Sequence, residues 1–108
     1  MTTIETGIAK LIAHMIADYE RWLKNCANQD YATVQLQRYK DSFRVDSGKS
    51  YFKIVASDAV RAFIVKETGP KFKAGDVLKP AGWSAPAKNF ARGNVLTENF
   101  DAIEWTGA

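Results

Sequence analysis

The stretch Phe43-Arg-Val-Asp-Ser-Gly48-Lys-Ser-Tyr51-Phe-Lys-Ile-Val55-Ala-Ser-Asp-Ala-Val60-Arg-Ala-Phe-Ile-Val65 decides the architecture. Phe43-Arg-Val45 and Tyr51-Phe-Lys-Ile-Val55 are aromatic and β-branched runs on either side of the turn group Asp46-Ser-Gly48-Lys49, and together they spell a hairpin. Val60-Arg-Ala-Phe-Ile-Val65 is a third strand, reached through Ser57-Asp58. An even connection there sets Phe52 against Phe63, Ile54 against Arg61, Tyr51 against Ile64, Lys53 against Ala62 and Val55 against Val60. Both faces of this pair are largely apolar and each carries one base. Such a sheet is either covered on both sides or leaves an aromatic and basic platform of the kind that stacks nucleobases. Coverage is the favoured reading, by a helix on one face and the segment after Lys79 on the other, because monomers seldom leave large apolar patches bare.

Upstream, Ile4, Ile8, Leu11, Ile12, Met15, Ile16, Tyr19, Trp22, Leu23 and Cys26 recur at helical spacing and predict a long amphipathic helix. Thr2 with Glu5 has the form of a capping box, and Asn25 to Asn28 offers a stop. Gly7 costs about 1 kcal/mol against Ala in a helix and predicts a frayed first turn. Lys10, His14, Asp18 and Arg21 line the opposite, solvated face. Residues 31–41 carry both a strand-like alternation (Val34, Leu36) and a helical stripe (Ala32, Leu36, Tyr39, Phe43), and read as a short helix or irregular segment.

Downstream, Thr68-Gly-Pro70 marks a turn, Phe72-Lys73 and Val77-Leu78 are short strand candidates, and Pro80 ends the run. Ser84, Pro86 and Gly93 punctuate a predicted two-turn helix, with Trp83, Ala87, Phe90 and Ala91 on one face and Lys88 and Arg92 on the other. Phe100, Ile103 and Trp105 tie an acidic tail to the body. The expected fold is α+β: a long N-terminal helix on an antiparallel sheet of three to five strands, with a short helix in the C-terminal half. One domain spans 1–108, divided into a helical part (1–42), a hairpin-rich part (43–96) and the tail (97–108).

The 108 residues carry a net charge of +3, distributed unevenly. Residues 1–48 are neutral, 49–92 hold nine bases against three acids, and the last sixteen hold three acids and no base. The basic segment suits an anionic partner, or a solvated surface partly neutralised by the tail. A single cysteine and a single histidine exclude disulfide scaffolds and the usual zinc sets. The absence of a signal-type leader or long apolar run predicts a soluble, intracellular protein without membrane association. No phosphate-binding glycine loop, nucleophile elbow or close carboxylate pair occurs, so neither an enzyme nor a cofactor is expected. His14 beside Asp18 has no nucleophile near it in sequence and reads as a solvated pair.

Two binding surfaces remain. Free amides after Ser84, with Lys79, Lys88 and Arg92 around them, form a candidate anion cradle, against which stands Ser84 as a plain helix cap. Lys53, Arg61, Lys79, Lys88 and Arg92 are candidate phosphate contacts, and Tyr51 or Phe52 a stacking ring, for direct nucleic-acid binding.

Phe43 to Gly48, Lys49 to Val55, Val60 to Val65, and Leu78-Lys-Pro-Ala-Gly-Trp83-Ser-Ala-Pro-Ala-Lys88-Asn-Phe-Ala-Arg-Gly-Asn94 resemble a group of small tailed-bacteriophage proteins. That group shares such a hairpin followed by a KPxxWxAPAKxxARxN-like signature, and the likeness covers residues 43–96. The turn at Ala74-Gly-Asp76 is longer than the group's pattern. The resemblance implies a phage origin, and hence the host bacterial cytoplasm, but no activity. The leading expectation is a non-enzymatic accessory protein, monomeric or a small homo-oligomer. It binds and modulates a host or phage protein complex, such as a defence complex or a polymerase, through the basic segment. Direct nucleic-acid binding is the alternative.

Overall fold

The computed structural model describes residues 3–108. Helix α1 spans Ile4–Leu23 and α2 spans Gln29–Asp41. Strands β1 (Arg44–Ser47), β2 (Tyr51–Ala56), β3 (Ala59–Val65), β4 (Asp76–Leu78) and β5 (Gly93–Asn94) follow. They form one antiparallel sheet in sequential order, a meander.

The N-cap of α1 is Thr3, whose hydroxyl accepts the Thr6 N–H at 3.1 Å; the expected cap Thr2 lies outside the described residues. Ile8, Leu11, Met15, Tyr19 and Leu23 are buried as their spacing requires, whereas Trp22, expected on the same stripe, is 57% exposed. Gly7 is no weak point. A Cβ there would lie 2.4 Å from the Val95 carbonyl oxygen, so the missing side chain is what lets the first turn of α1 lie against the C-terminal segment.

Asn28 caps α2 by accepting the Tyr31 N–H at 3.0 Å. Ala32, Leu36 and Tyr39 then face α1, so the helical stripe prevails over the alternation in residues 31–41. Val34 and Tyr31 are left exposed.

The β2–β3 register differs from the expected one. Tyr51 pairs with Val65, Phe52 with Ile64, Lys53 with Phe63 and Ile54 with Ala62; only Val55–Val60 is as expected. The connection has the expected even length, with Ser57 and Asp58 both at positive φ in a tight two-residue turn. A bulge between the Ile54 and Val55 pairings leaves Arg61 as an extra residue, which shifts every later pair by one.

The sheet is covered on both faces. Ile54, Ala62, Ile64 and Val77 meet Ile8, Leu11 and Met15 of α1 together with Val95, Phe100 and Ile103. On the other face, Phe63, Val65 and Leu78 are packed by Tyr51, Val60, Phe72 and Ala91. The predicted helix after Trp83 does not form; residues 81–92 are irregular. Their amides do not bond along a helix: Ala87 N–H bonds to Lys79 O (2.7 Å) and Arg92 N–H to Val77 O (2.7 Å), outside the segment, and Ala81 N–H bonds forward to Ala85 O (3.0 Å) within it. The segment thus satisfies its backbone against β4 and its flank. Phe72-Lys73 is not a strand either. Lys73 and Ala74 donate their N–H groups to Asp76 Oδ2 and Thr68 Oγ1, closing a turn at Gly75, whose φ is +88°.

The face of α1 expected to be solvated instead holds the C-terminal segment at successive turns. Lys10 Nζ lies 3.2 Å from Glu98 Oε2, and His14 Nε2 donates to Ile103 O at 2.8 Å. Asp18 Oδ2 accepts the Trp105 N–H at 2.9 Å. Phe100 and Ile103 are buried and Trp105 half-buried, as the tail's apolar residues required. Tyr39 adds a fourth tie, its hydroxyl donating to Trp105 O at 2.7 Å.

Candidate functional site

In a meander the β1–β2 turn and the β3–β4 loop lie at the same end of the sheet. Here they are stitched together by the Lys66 N–H bond to Ser50 O (3.1 Å). Between them runs an open groove of about 660 Å³, walled by Tyr51 and Phe72 and ringed by Lys49, Lys66, Lys71 and Lys88, with Glu67 its one acid. An adjoining hollow of about 430 Å³ shares Lys49, Ser50 and Tyr51 and adds Asp46, Lys53 and Ser84.

Internal bonds hold several of these groups in place. Lys66 Nζ donates to Ser47 Oγ at 2.6 Å and to Gly48 O, and sits 4.6 Å from the centre of the Phe52 ring. Lys71 Nζ donates to Lys88 O. Lys53 Nζ lies 4.4 Å over the Trp83 ring and donates to Trp83 O at 3.2 Å, anchoring the irregular segment to β2. Tyr51 meets Phe63 edge-on at 5.9 Å. Such contacts fix where the positive charges stand without neutralising them.

The candidate residues therefore divide. Tyr51, Lys53, Ser84 and Lys88 converge at the groove and its hollow. Lys79 is exposed outside both, and Arg92 lies apart, its guanidinium 4.4 Å over the ring of Phe90. Phe52 packs on the α1 face of the sheet. Arg61 is bound to the fold itself. Its guanidinium donates to Ala56 O (3.1 Å) and Thr106 O (3.2 Å), and its carbonyl accepts the Ala108 N–H (2.9 Å). The cradle expected after Ser84 has no helix start to supply its amides. No open stacking platform exists on the β2–β3 pair, since Phe63 is buried and Tyr51 and Phe52 are half-buried. Lys49, Lys66, Lys71 and Phe72 were missed as site residues; the signal for them was the topology, which puts both turns at one end.

Three ion pairs occur among the described residues: Lys10–Glu98, Arg21–Asp18 and Arg44–Asp46. None uses a base from 49–92, and Glu98 of the tail is turned to α1. Lysine ammoniums of this kind suit carboxylate or phosphate as point charges. Among the described residues no cluster of His, Cys, Asp or Glu is arranged to hold a metal ion, and no helix is long and apolar enough to cross a membrane.

The fold and groove define an α+β protein in which a five-stranded antiparallel meander carries two N-terminal helices and a lysine-ringed groove at one end. The chain belongs to the family of unknown function DUF7717, which matches it over residues 1–108. No curated protein and no solved structure matches it.

Proposed function

We propose that this chain is a small non-enzymatic accessory protein of a tailed bacteriophage. It acts in the host cytoplasm, where it binds and modulates a host or phage macromolecular complex, such as a defence complex or a polymerase, by docking its basic groove on an acidic protein surface. The phage-like signature over 43–96 supports the origin. One observation carries the binding mode: the bases of residues 49–92 enter none of the ion pairs among the described residues, while the groove gathers four of them around two aromatic walls. Uncompensated charge at a fixed place steers an oppositely charged partner and sets its orientation. The test is affinity capture from phage-infected cells with the wild type and with a Lys49→Glu/Lys88→Glu variant. A host or phage protein retained by the first and lost by the second, at equal thermal stability, is the expected result. Recovery of no protein, or of the same protein by both, overturns the proposal.

Direct binding of single-stranded nucleic acid is the second reading, and a specific feature favours it. Trp83 and Phe90 are 51% and 56% exposed, and each has a cation over one face, Lys53 and Arg92. A ring with one open face beside a positive charge can stack a base and meet its phosphate. Fluorescence anisotropy with labelled DNA and RNA at two salt concentrations decides it. Binding that weakens with salt and is lost in Trp83→Ala supports this reading, and absence of salt-sensitive binding removes it.

A further inference from the structure

Strand β1 is the edge of the sheet, and its outer side has no strand beside it among the described residues. Arg44, Val45 and Ser47 are exposed, Val45 by 41%. The direction of its backbone groups follows from the ladder. The Gly48 N–H donates to Tyr51 O at 2.9 Å, and bonded pairs alternate along an antiparallel pair. Arg44 and Asp46 therefore bond inward to Val55 and Lys53, while Val45 and Ser47 turn their N–H and C=O groups outward.

We propose that β1 pairs with β1 of a second copy of this chain, antiparallel about a two-fold axis at Val45, joining two five-stranded sheets into one. With Val45 opposite its own copy, the two valines exchange both N–H···O bonds, and Ser47 meets Phe43 on either side. Charge selects this register. It sets Arg44 opposite Asp46 of the second copy, twice, whereas slipping by two residues in either direction sets Asp46 against Asp46 or Arg44 against Arg44. The side chains are already disposed for it. Arg44 Nε lies 3.0 and 3.2 Å from the two carboxylate oxygens of Asp46, so both groups share one face of the strand, and Val45 points to the other. Edge charges commonly prevent strand pairing; here, opposite signs two residues apart make one self-pairing register attractive. The contact is isologous, so it closes at two copies. Because the strands run in opposite directions, the two basic grooves lie towards opposite ends of the joined sheet.

Light scattering after size exclusion, over a range of protein concentrations, tests the proposal. The wild type is expected to be dimeric. Arg44→Asp and Asp46→Arg each place like charges opposite one another and raise the dissociation constant by about tenfold or more. An equimolar mixture of these two variants restores the dimer, as does the Arg44→Asp/Asp46→Arg exchange in one chain, which separates lost pairing from lost fold. Val45→Pro removes an N–H that the monomer's own ladder does not use and abolishes the dimer while leaving the circular dichroism intact. Amide exchange at Val45 and Ser47 slows as concentration rises. A wild type that stays monomeric at hundreds of micromolar overturns the proposal, as does a dimer untouched by Val45→Pro and the charge variants. So does a monomer whose β1 edge captures a different protein.

Discussion

Gly7→Ala sets helix propensity against packing, and the structure decides which wins. In an isolated helix the change is favourable by about 1 kcal/mol, because Ala is the best helix former and Gly among the poorest. In the folded chain the new Cβ would fall 2.4 Å from Val95 O, 2.8 Å from Val95 Cβ and 2.9 Å from Val95 C. A tolerable C···O approach is about 3.3 Å, so α1 and the Val95 backbone must separate by about 0.9 Å. Neither yields cheaply. Val95 N–H bonds to Gly75 O at 2.9 Å, and Ile8 and Leu11, in the same helix, are buried in the core that Val95 helps to close. Overpacking of this kind costs about 1–3 kcal/mol, and the upper part of that range, about 2–3 kcal/mol, applies because the obstacle is backbone rather than a flexible side-chain end. After the propensity gain, a net loss of about 1–2 kcal/mol is expected, lowering Tm by roughly 5–15 °C for a domain of this size. The assay has two arms: thermal unfolding of the whole protein, and helicity of a peptide covering residues 3–24. Ala should raise helicity in the peptide and lower Tm in the protein. A variant as stable as the wild type would refute the close approach of α1 to the C-terminal segment.

Two further predictions concern the ties that hold the tail. Arg61→Ala removes the donors to Ala56 O and Thr106 O, so it should cost about 1–2 kcal/mol and speed amide exchange at Ala108, while leaving partner capture through the groove unchanged. Loss of capture without loss of stability would return Arg61 to the binding surface. Burial pushes the Tyr39 phenol well above its ordinary range, with the nearby Asp18 charge adding to it, and in the fold the neutral hydroxyl donates to Trp105 O. The unfolded chain ionises that phenol near pH 10 and loses its proton first. Stability is therefore undiminished by this group below about pH 10 and falls above it, by about 1.4 kcal/mol per pH unit. Urea titrations across that range should show the decline. Tyr39→Phe should lessen the decline and, with one hydrogen bond gone, cost about 1 kcal/mol at neutral pH. An alkaline slope identical in wild type and variant would contradict the assignment.

What was legible in the sequence is what period and turn chemistry encode locally. The stripe from Ile8 to Leu23 apart from Trp22, strands β2 and β3 and the apolar anchors Phe100 and Ile103 lie where spacing puts them, whereas β1 runs on through Asp46 and Ser47, which read as turn residues. The misreadings share a cause, which is that backbone and side-chain bonds can be satisfied by distant parts of the chain. Ser84, Pro86 and Gly93 have the grammar of a helix, but β4 and its flank offered the segment carbonyl partners that no local rule foresees. A bulge leaves no mark in an alternating pattern, so alternation alone pairs Arg61 with Ile54, whereas the bulge leaves it unpaired. Lys10, His14 and Asp18 form a regular polar stripe, and whether such a stripe meets water or another segment is decided by where the chain returns. The groove is the converse case. Lys49, Lys66 and Lys71 looked unrelated along the chain, and only strand order brings them together.

The tail's position changes the meaning of the basic segment. Had the three acids after residue 93 folded back on residues 49–92, half of that segment's excess charge would be cancelled within the molecule. Instead Glu98 pairs with Lys10, and the chain beyond it is held by His14, Asp18 and Tyr39 through backbone atoms of Ile103 and Trp105. These bonds serve packing as well, since they place Phe100 and Ile103 beneath α1 in the core. The same contacts that close the core therefore hold the tail on the α1 side of the sheet. The groove's lysines enter no ion pair with it, and two of them are placed by bonds to neutral oxygens: Lys66 by Ser47 Oγ and Gly48 O, and Lys71 by Lys88 O. Neutral acceptors fix a cation's position and leave its charge to act outward. For the anionic partner proposed above, binding would not first require displacing a carboxylate of the tail, and two of the ammonium groups it would meet are already placed.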